Sequence, residues 1–475
     1  MHASTLSSIA TIISVVSPAV AQNVVGTFIF GRHGDRLQKP TVILTPVGSQ
    51  EVYEQGSFMH SRYFNSSSQY AISGLSYTYV PTQLNAFAPN SDVLQKSAMG
   101  FLQGLYPPLD GNVTYEDEVQ GSSMANEPLE VTPLDGFQYV IHDGIDTNSP
   151  NNIWIQGDTS CPAYTNASNA YFNSEDFLSL NSSTFDFYQS LYPLVEGVFT
   201  KEELNYGNAY EIFDHFEVNS VHNQTFADLL SNQTETDNFN QVRYLQDVYS
   251  KATNYNASNS NTTIGGATML AFIQSQLNLT QTTGAPYISY AAGSYDTFYQ
   301  LFGRLGLYNV NATVDNTFTG ILNYAAAAVF DLIEMNNDYY IQFSFRNGTD
   351  DSAEALIYPI FGSTSNMIPY SDFVSQATNA SIANLQTWCK ACDSWSQAMC
   401  AVYSPEYLAA IDGTSSNNEL PKQSKLSLAD AGGIGAGVTI GVFLIAGLAI
   451  WGLMSLRKKK APSIHSVSST AEKSV

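Results

Sequence analysis

The feature that most restricts the fold of this chain is an uncharged, predominantly apolar run from Ala431 to Leu456, followed at once by Arg457-Lys458-Lys459-Lys460. Its 26 residues suffice to cross the hydrocarbon core of a bilayer as a tilted helix. Basic residues flanking such a span stay on the cytoplasmic side. The sequence therefore predicts a type I topology: a cytoplasmic tail over 457–475, a transmembrane helix over 431–456, and everything from Gln22 to Asp430 luminal or extracellular. A removable lipid-anchor signal ends in its apolar run instead of continuing into a basic tail, which sets that alternative aside.

The N-terminus fits the same topology. Residues 1–21 contain no Lys, Arg, Asp or Glu, carry an apolar run from Ile9 to Val16, and end in Ala19-Val20-Ala21, a small-x-small cleavage pattern. The stretch is too short and polar for a span and reads as a signal peptide, with Gln22 the first mature residue. Twelve N-x-Ser/Thr sequons (Asn65, Asn112, Asn166, Asn181, Asn223, Asn232, Asn256, Asn261, Asn278, Asn311, Asn347 and Asn379) fall within the luminal part. So do the four cysteines, Cys161, Cys389, Cys392 and Cys400, for which an oxidising compartment favours two disulfides among three possible pairings. Cys389-x-x-Cys392 also has the spacing of a redox or zinc pair, but no histidine stands near to complete a metal site.

Charge narrows the partners. Of 18 Lys and Arg and 42 Asp and Glu, the tail holds 5 and 1, leaving 13 basic against 41 acidic residues on the luminal side. Such a surface repels polyanions at long range, so no nucleic acid is expected as a partner and inositol polyphosphates are disfavoured as substrates. A local anion pocket remains compatible with it. The expected destination is the secretory pathway, ending at the cell surface or in a vacuolar or other endomembrane.

Within 22–412, strand-like and helix-like stretches alternate. Val24 to Phe30 is a β-rich run that feeds the polar loop Gly31-Arg32-His33-Gly34-Asp35-Arg36. Apolar residues at helical spacing run from Ser97 to Leu105 and stop at Pro107-Pro108. The region of about 112–265 is rich in Asn, Ser and Tyr and reads as a loop-rich, partly helical insertion. Pro286 to Ala292 is strand-like and delivers Tyr295-Asp296 to a turn before a helical pattern from Phe298 to Leu305. Ala325 to Met335 is helical in composition, Tyr339 to Arg346 alternates like a strand, and 413–430 looks like a stalk. This order predicts an α/β domain: a mainly parallel twisted sheet with helices on both faces, plus a smaller, partly helical inserted domain. With 44% hydrophobic and 12% aromatic residues, the chain can fill a large core. Ligands of such sheets bind beyond the carboxyl ends of strands, where both polar turns sit.

An imidazole between two guanidinium groups suits attack on a phosphoryl group. Arginine forks bind phosphate oxygens bidentately, and a neutral imidazole is a competent covalent nucleophile. Arg32-His33-Gly34-x-Arg36 after a hydrophobic strand resembles the signature of the histidine phosphatase superfamily. The rest resembles its acid phosphatase branch: Leu44-Thr45-x-x-Gly48, Tyr53, Gly56 and Arg62-Tyr63; Ser97-Ala98-x-x-Phe101-Leu102-x-Gly104-Leu105-Tyr106-Pro107-Pro108; Cys161-Pro162; and Asp296 followed by Leu305-Gly306-Leu307. The resemblance implies a phosphohistidine mechanism without cofactor or metal. His33 is its nucleophile, Arg32 and Arg36 hold the oxygens, and Asp296 protonates the leaving alcohol of a small phosphate monoester.

Two departures accompany the resemblance. Where the family places a further phosphate-binding arginine, four residues before Ser97, this chain has Val93; where it places a histidine before the acid, this chain has Tyr295. Charge-assisted hydrogen bonds contribute about 1.5–3 kcal/mol each, so the two losses together cost roughly two to four orders of magnitude in rate. Tyr295 retains one neutral donor. Lys96, one helical turn beyond Val93, is a candidate substitute, against its reading as a solvated surface lysine. His142-Asp143 is a literal His-Asp pair, but it precedes Cys161 and lacks the following helix, so it reads as a loop pair. The expected function is an acid phosphomonoesterase of reduced activity; the alternative is an inactive relative that binds phosphate or a partner at the cell boundary. Gly433, Gly437 and Gly441 share one face of the membrane helix and offer a homodimer contact.

Overall fold

Strand β1 (Asn23–Arg32) is buried along almost its whole length, so its side chains serve two apolar layers at once. Phe28 and Phe30 point into one core and Ile29 into the other. The computed structural model to which this strand belongs describes residues 22–109, 132–310, 317–350 and 354–415. The expected signal peptide, membrane span and tail, most of the expected stalk, Asn112 and Asn311 lie outside the described residues. Among the described residues no helix is long and apolar enough to cross a membrane.

Around β1 lies one sheet, with strands β2 (Leu84–Pro89), β3 (Asp143–Ile145), β4 (Ile288–Gly293), β5 (Ala327–Met335), β6 (Asp338–Arg346), β7 (Leu356–Tyr358) and β8 (Met367–Pro369). The order is β3-β2-β4-β1-β5-β6-β7, with β8 also on β6. β3, β2, β4 and β1 run parallel, whereas β5, β6, β7 and β8 are joined antiparallel. The sheet is therefore mixed, which corrects the mainly parallel expectation. The cause is a hairpin: Asn336 and Asn337 both take positive φ (56° and 66°), the geometry of a tight two-residue turn, and fold β6 back on β5.

The segment from Ala325 is a second correction. Its alanines favour helix, yet Ala327–Met335 forms β5, hydrogen-bonded to β1 on one side and β6 on the other. Phe330 and Leu332 fill one core while Val329 and Ile333 fill the other, an alternation that a helix cannot supply. Burial on both faces overrode propensity.

Helices cover both faces. On one, α1 (Pro46–Tyr63) packs against α2 (Asp92–Leu105), and Phe101 of α2 stacks on Tyr290 of β4 at 3.9 Å. On the other lie α5 (Ile264–Thr283), α6 (Tyr295–Leu305) and α7 (Tyr370–Ala380), with Phe298 of α6 stacked on Phe30 at 4.3 Å. The range of the insertion is more helical than its composition suggested. β3 belongs to the main sheet, and beyond it α3 (Ala209–His222), α4 (Gln233–Asn254) and shorter helices enclose their own core around Phe213, Phe216 and Leu245. Helix Pro405–Ser415 runs into the first residues of the expected stalk.

Both cysteine pairings are defined: Cys161–Cys392 and Cys389–Cys400. They bury α8 (Leu385–Cys392) against the loop before Cys161, where Trp388 Nε1 donates to the Gly157 carbonyl at 2.7 Å. Of the sequons, Asn65, Asn166, Asn223, Asn232, Asn256, Asn278 and Asn379 are exposed.

Candidate active site

The register of β1 on β4 pairs Arg32 with Gly293, so the two strands end side by side and deliver both polar turns to one place. His33 N–H donates to the Gly293 carbonyl at 3.1 Å, and the His33 carbonyl accepts from Ala325 N–H at 3.1 Å. The loop after β1 is held tightly from below. A side chain at Gly34 would lie 2.2 Å from the Gly48 carbonyl, and one at Gly48 would lie 2.1 Å from the Asp35 carbonyl, so neither position tolerates a Cβ. Thr45 caps α1 by accepting from Gly48 N–H at 3.1 Å. Ser97 of α2 accepts from Gly34 N–H at 3.2 Å, which accounts for its place in the motif.

His33 is 5% exposed. Its Nδ1 lies 2.8 Å from the Gly34 carbonyl, which can only accept, so Nδ1 carries the proton and Nε2 keeps its lone pair. Burial, then the charge of Arg32, hold the imidazole pKa down to about 3, with Arg36 adding to the shift. The ring is therefore neutral even in acid. Tyr324, just before the alanine segment expected to be helical, sits 5.7 Å from it between ring centroids.

Arg32 donates through Nη1 to the Leu322 carbonyl, and its guanidinium lies 4.4 Å from the Tyr324 ring and 5.4 Å from the Tyr295 ring. Its Nε is buried without a partner among the described residues. Both Nη atoms of Arg36 are engaged: Nη2 donates to Asp214 Oδ1 at 2.6 Å and to the Tyr210 hydroxyl at 3.1 Å, and Nη1 to Asp214 Oδ2 at 3.3 Å and the Leu37 carbonyl at 3.1 Å. Both new partners come from α3. The composition of the insertion carries no periodic or motif signal that singles them out.

Asp296 stands in the first turn of α6. Burial, then repulsion from Asp158, push its carboxyl up to about 6, against a hydrogen bond from Asn254 Nδ2 at 3.1 Å and the more distant charges of Lys39 and Arg32. Gln300 ties this group together, donating to Asp158 at 2.8 Å and to Asn254 at 3.0 Å while accepting from Gly265 N–H at 2.7 Å. Asp158 and Asn254 also lie in the insertion and were not foreseen.

The remaining candidates separate. Tyr295 lines the cleft with Arg32, Arg36 and Tyr324, and burial followed by the neighbouring Asp296 keeps its hydroxyl well above the ordinary tyrosine range. Val93 is buried against Leu44 and Leu94 in a small apolar cluster. Lys96 is not brought to the cleft: its side chain is 51% exposed and its ammonium pairs with Asp92 at 2.7 Å on its own helix, which corrects its candidacy as a substitute donor. His142 is bound to Gln95 at 2.7 Å, at the β3 edge of the sheet. Cys161, Cys389, Cys392 and Cys400 are structural, with no free thiol among the described residues. No group of side chains suited to a metal ion occurs among the described residues.

The free volume between the cleft side chains is about 10 Å³, room for one water. A far larger cavity, about 640 Å³, runs along α4 beside Tyr171, Tyr244 and Tyr255 but touches none of the candidate catalytic groups. Chemistry, not volume, identifies the site.

Comparison with known proteins bears on this arrangement. The model of the histidine phosphatase superfamily (branch 2) matches residues 31–346. Comparison with curated proteins yields no significant match. Among solved structures, the phytase of Hafnia alvei in complex with tartrate is 13% identical, with a TM-score of 0.54 over 78% of this chain and 99% of its own. The phytase of Citrobacter braakii is 13% identical, with a TM-score of 0.52 over 76% and 99%. That of Klebsiella sp. ASR1 is 9% identical, with a TM-score of 0.53 over 77% and 97%. At these identities the likeness is one of fold.

Proposed function

Because the chain belongs to branch 2 of the histidine phosphatase superfamily, we propose that it is an acid phosphomonoesterase acting through a phosphohistidine at Nε2 of His33. One observation carries the reading: Nδ1 of a buried, neutral His33 is tied to the Gly34 carbonyl between two arginines, leaving Nε2 as the free nucleophile. Nε2 attacks phosphorus, the ester P–O bond breaks, and the proton on Asp296 passes to the leaving oxygen. Water then attacks the phosphohistidine, Asp296 accepts its proton, and phosphate departs. A neutral nucleophile above about pH 3 and a protonated acid below about pH 6 define an acidic working range.

The substrate is a compact monoester. The luminal excess of 41 acidic over 13 basic residues disfavours inositol polyphosphates, although the structural neighbours are phytases. A second reading, an inactive phosphate-binding relative, draws on the occupied Arg36 and the small cleft. Release of phosphate from an aryl phosphate at pH 4–6 without added metal, and an alkali-stable phosphohistidine on the His33 peptide, separate the two. Turnover no higher than that of His33→Ala would favour the inactive reading. Val93→Arg together with Tyr295→His should raise the rate of an active protein.

The protein works as a type I membrane glycoprotein of the secretory pathway. Protease added to sealed vesicles should remove only the tail beyond Leu456; digestion of the folded domain there would reverse the topology.

A further inference from the structure

The Nη fork of Arg36, the part of a guanidinium that grips two oxygens at once, is already occupied. Its four Nη–H groups are taken by Leu37, Tyr210 and both oxygens of Asp214, and Arg36 and Asp214 are 6% and 7% exposed. This bidentate carboxylate has the geometry with which a guanidinium fork receives two phosphoryl oxygens. Asp214 is not alone on its helix: Tyr210, Phe213 and Glu217 line the cleft from the same face of α3. Asp214 thus sits directly on Arg36, while Glu217, 3.9 Å from Arg243, lines with Arg32 and Arg36 a space that admits one water.

We propose that Asp214 is a specificity-determining residue that occupies Arg36 as a built-in competitor for the substrate's phosphoryl group. The proposal rests on the phosphatase reading of the same site. A ligand gains from displacing a bidentate carboxylate only if it brings more negative charge to the fork than the carboxylate did. A dianionic monoester does so, whereas a monoanionic diester does not. Once displaced, Asp214 remains beside the bound anion with Glu217 and weakens the retention of ligands carrying additional phosphates. Asp214 therefore selects compact dianions and holds down affinity for all of them.

Sulfate, a tetrahedral dianion throughout the acidic range, is the probe. Calorimetry on the full-length protein at pH 5 should show Asp214→Asn binding sulfate at least tenfold more tightly than the wild type. The KM for an aryl phosphate should fall in parallel, and dimethyl phosphate, a monoanion, should gain inhibitory strength. Asp214→Ser, measured alongside, should behave in the same way if the asparagine variant does not fold. Unchanged or weaker sulfate binding in a folded variant, while the wild type turns over aryl phosphate normally, overturns the competitor role and leaves the enzyme reading intact. If neither wild type nor variant binds sulfate or turns over, the phosphatase reading fails and takes this one with it.

Discussion

Burial raises the pKa of Asp296 while two neighbours pull it in opposite directions, so two substitutions should move it oppositely. Its carboxyl goes from 3.8 to about 6 through burial first and Asp158 second, while the hydrogen bond from Asn254 works the other way. The whole shift corresponds to about 3 kcal/mol at 1.36 kcal/mol per unit. Asp158→Asn keeps an oxygen for Gln300 but removes the repulsion, and as the lesser cause it should lower the alkaline limb of the pH profile by under about one unit. Asn254→Leu removes a donor to the ionised form and should raise that limb by a similar amount. The assay is kcat/KM against pH, from 3.5 to 8, with one aryl phosphate and three proteins, so that substrate ionisation cancels. Displacement of both limbs in the same direction, or of neither, would refute Asp296 as the acid. Stability carries the same signs. A carboxyl with a raised pKa destabilises the fold as pH climbs from about 4 to 6, and a histidine with a lowered one does so as pH falls from 6.5 toward 3, so the two slopes oppose each other.

Two further outcomes concern the frame of the site. Arg62 and Asp331 form a buried pair at 2.8 Å between α1 and β5, with the Tyr63 hydroxyl donating to the same carboxylate at 2.7 Å. Asp331→Asn should lower unfolding free energy by about 3–5 kcal/mol in denaturant titrations, and a loss under about 1 kcal/mol would show the pair to be idle. The disulfides Cys161–Cys392 and Cys389–Cys400 leave no thiol among the four cysteines. Alkylation of the unreduced protein should therefore label none, and stoichiometric labelling of Cys389 and Cys392 would contradict both pairings.

What could be read in advance follows a physical division. β1 and α2 announced themselves by period and by the prolines beyond Leu105, and the loop between strand and helix by an unusual density of arginine around one histidine. β5 was misread because an alanine run has helical propensity, while its strand character comes from partners on both sides that no local window contains. The antiparallel half of the sheet followed from that error, although Asn336-Asn337 between two apolar runs was a hairpin signal in plain view. Disulfide connectivity was beyond reach, since it depends on α8 meeting a loop more than 200 residues earlier.

The same division runs through the site itself. His33, Arg32 and Asp296 stand at the ends of adjacent strands whose register is set by two buried cores, so their placement is a property of the sheet. Asp214 and Tyr210 on Arg36, and Asn254 and Asp158 around Asp296, come instead from the helical region between β3 and β4. Those groups determine whether the arginine is free and at what pH the acid holds its proton. On the phosphatase reading, the sheet supplies the reacting groups and the inserted helices set their rate and range. Substitutions at Asp214, Asp158 or Asn254 should therefore retune activity without loss of the fold, whereas a Cβ at Gly34 or Gly48, 2.2 Å or less from backbone carbonyls, should dismantle the loop itself.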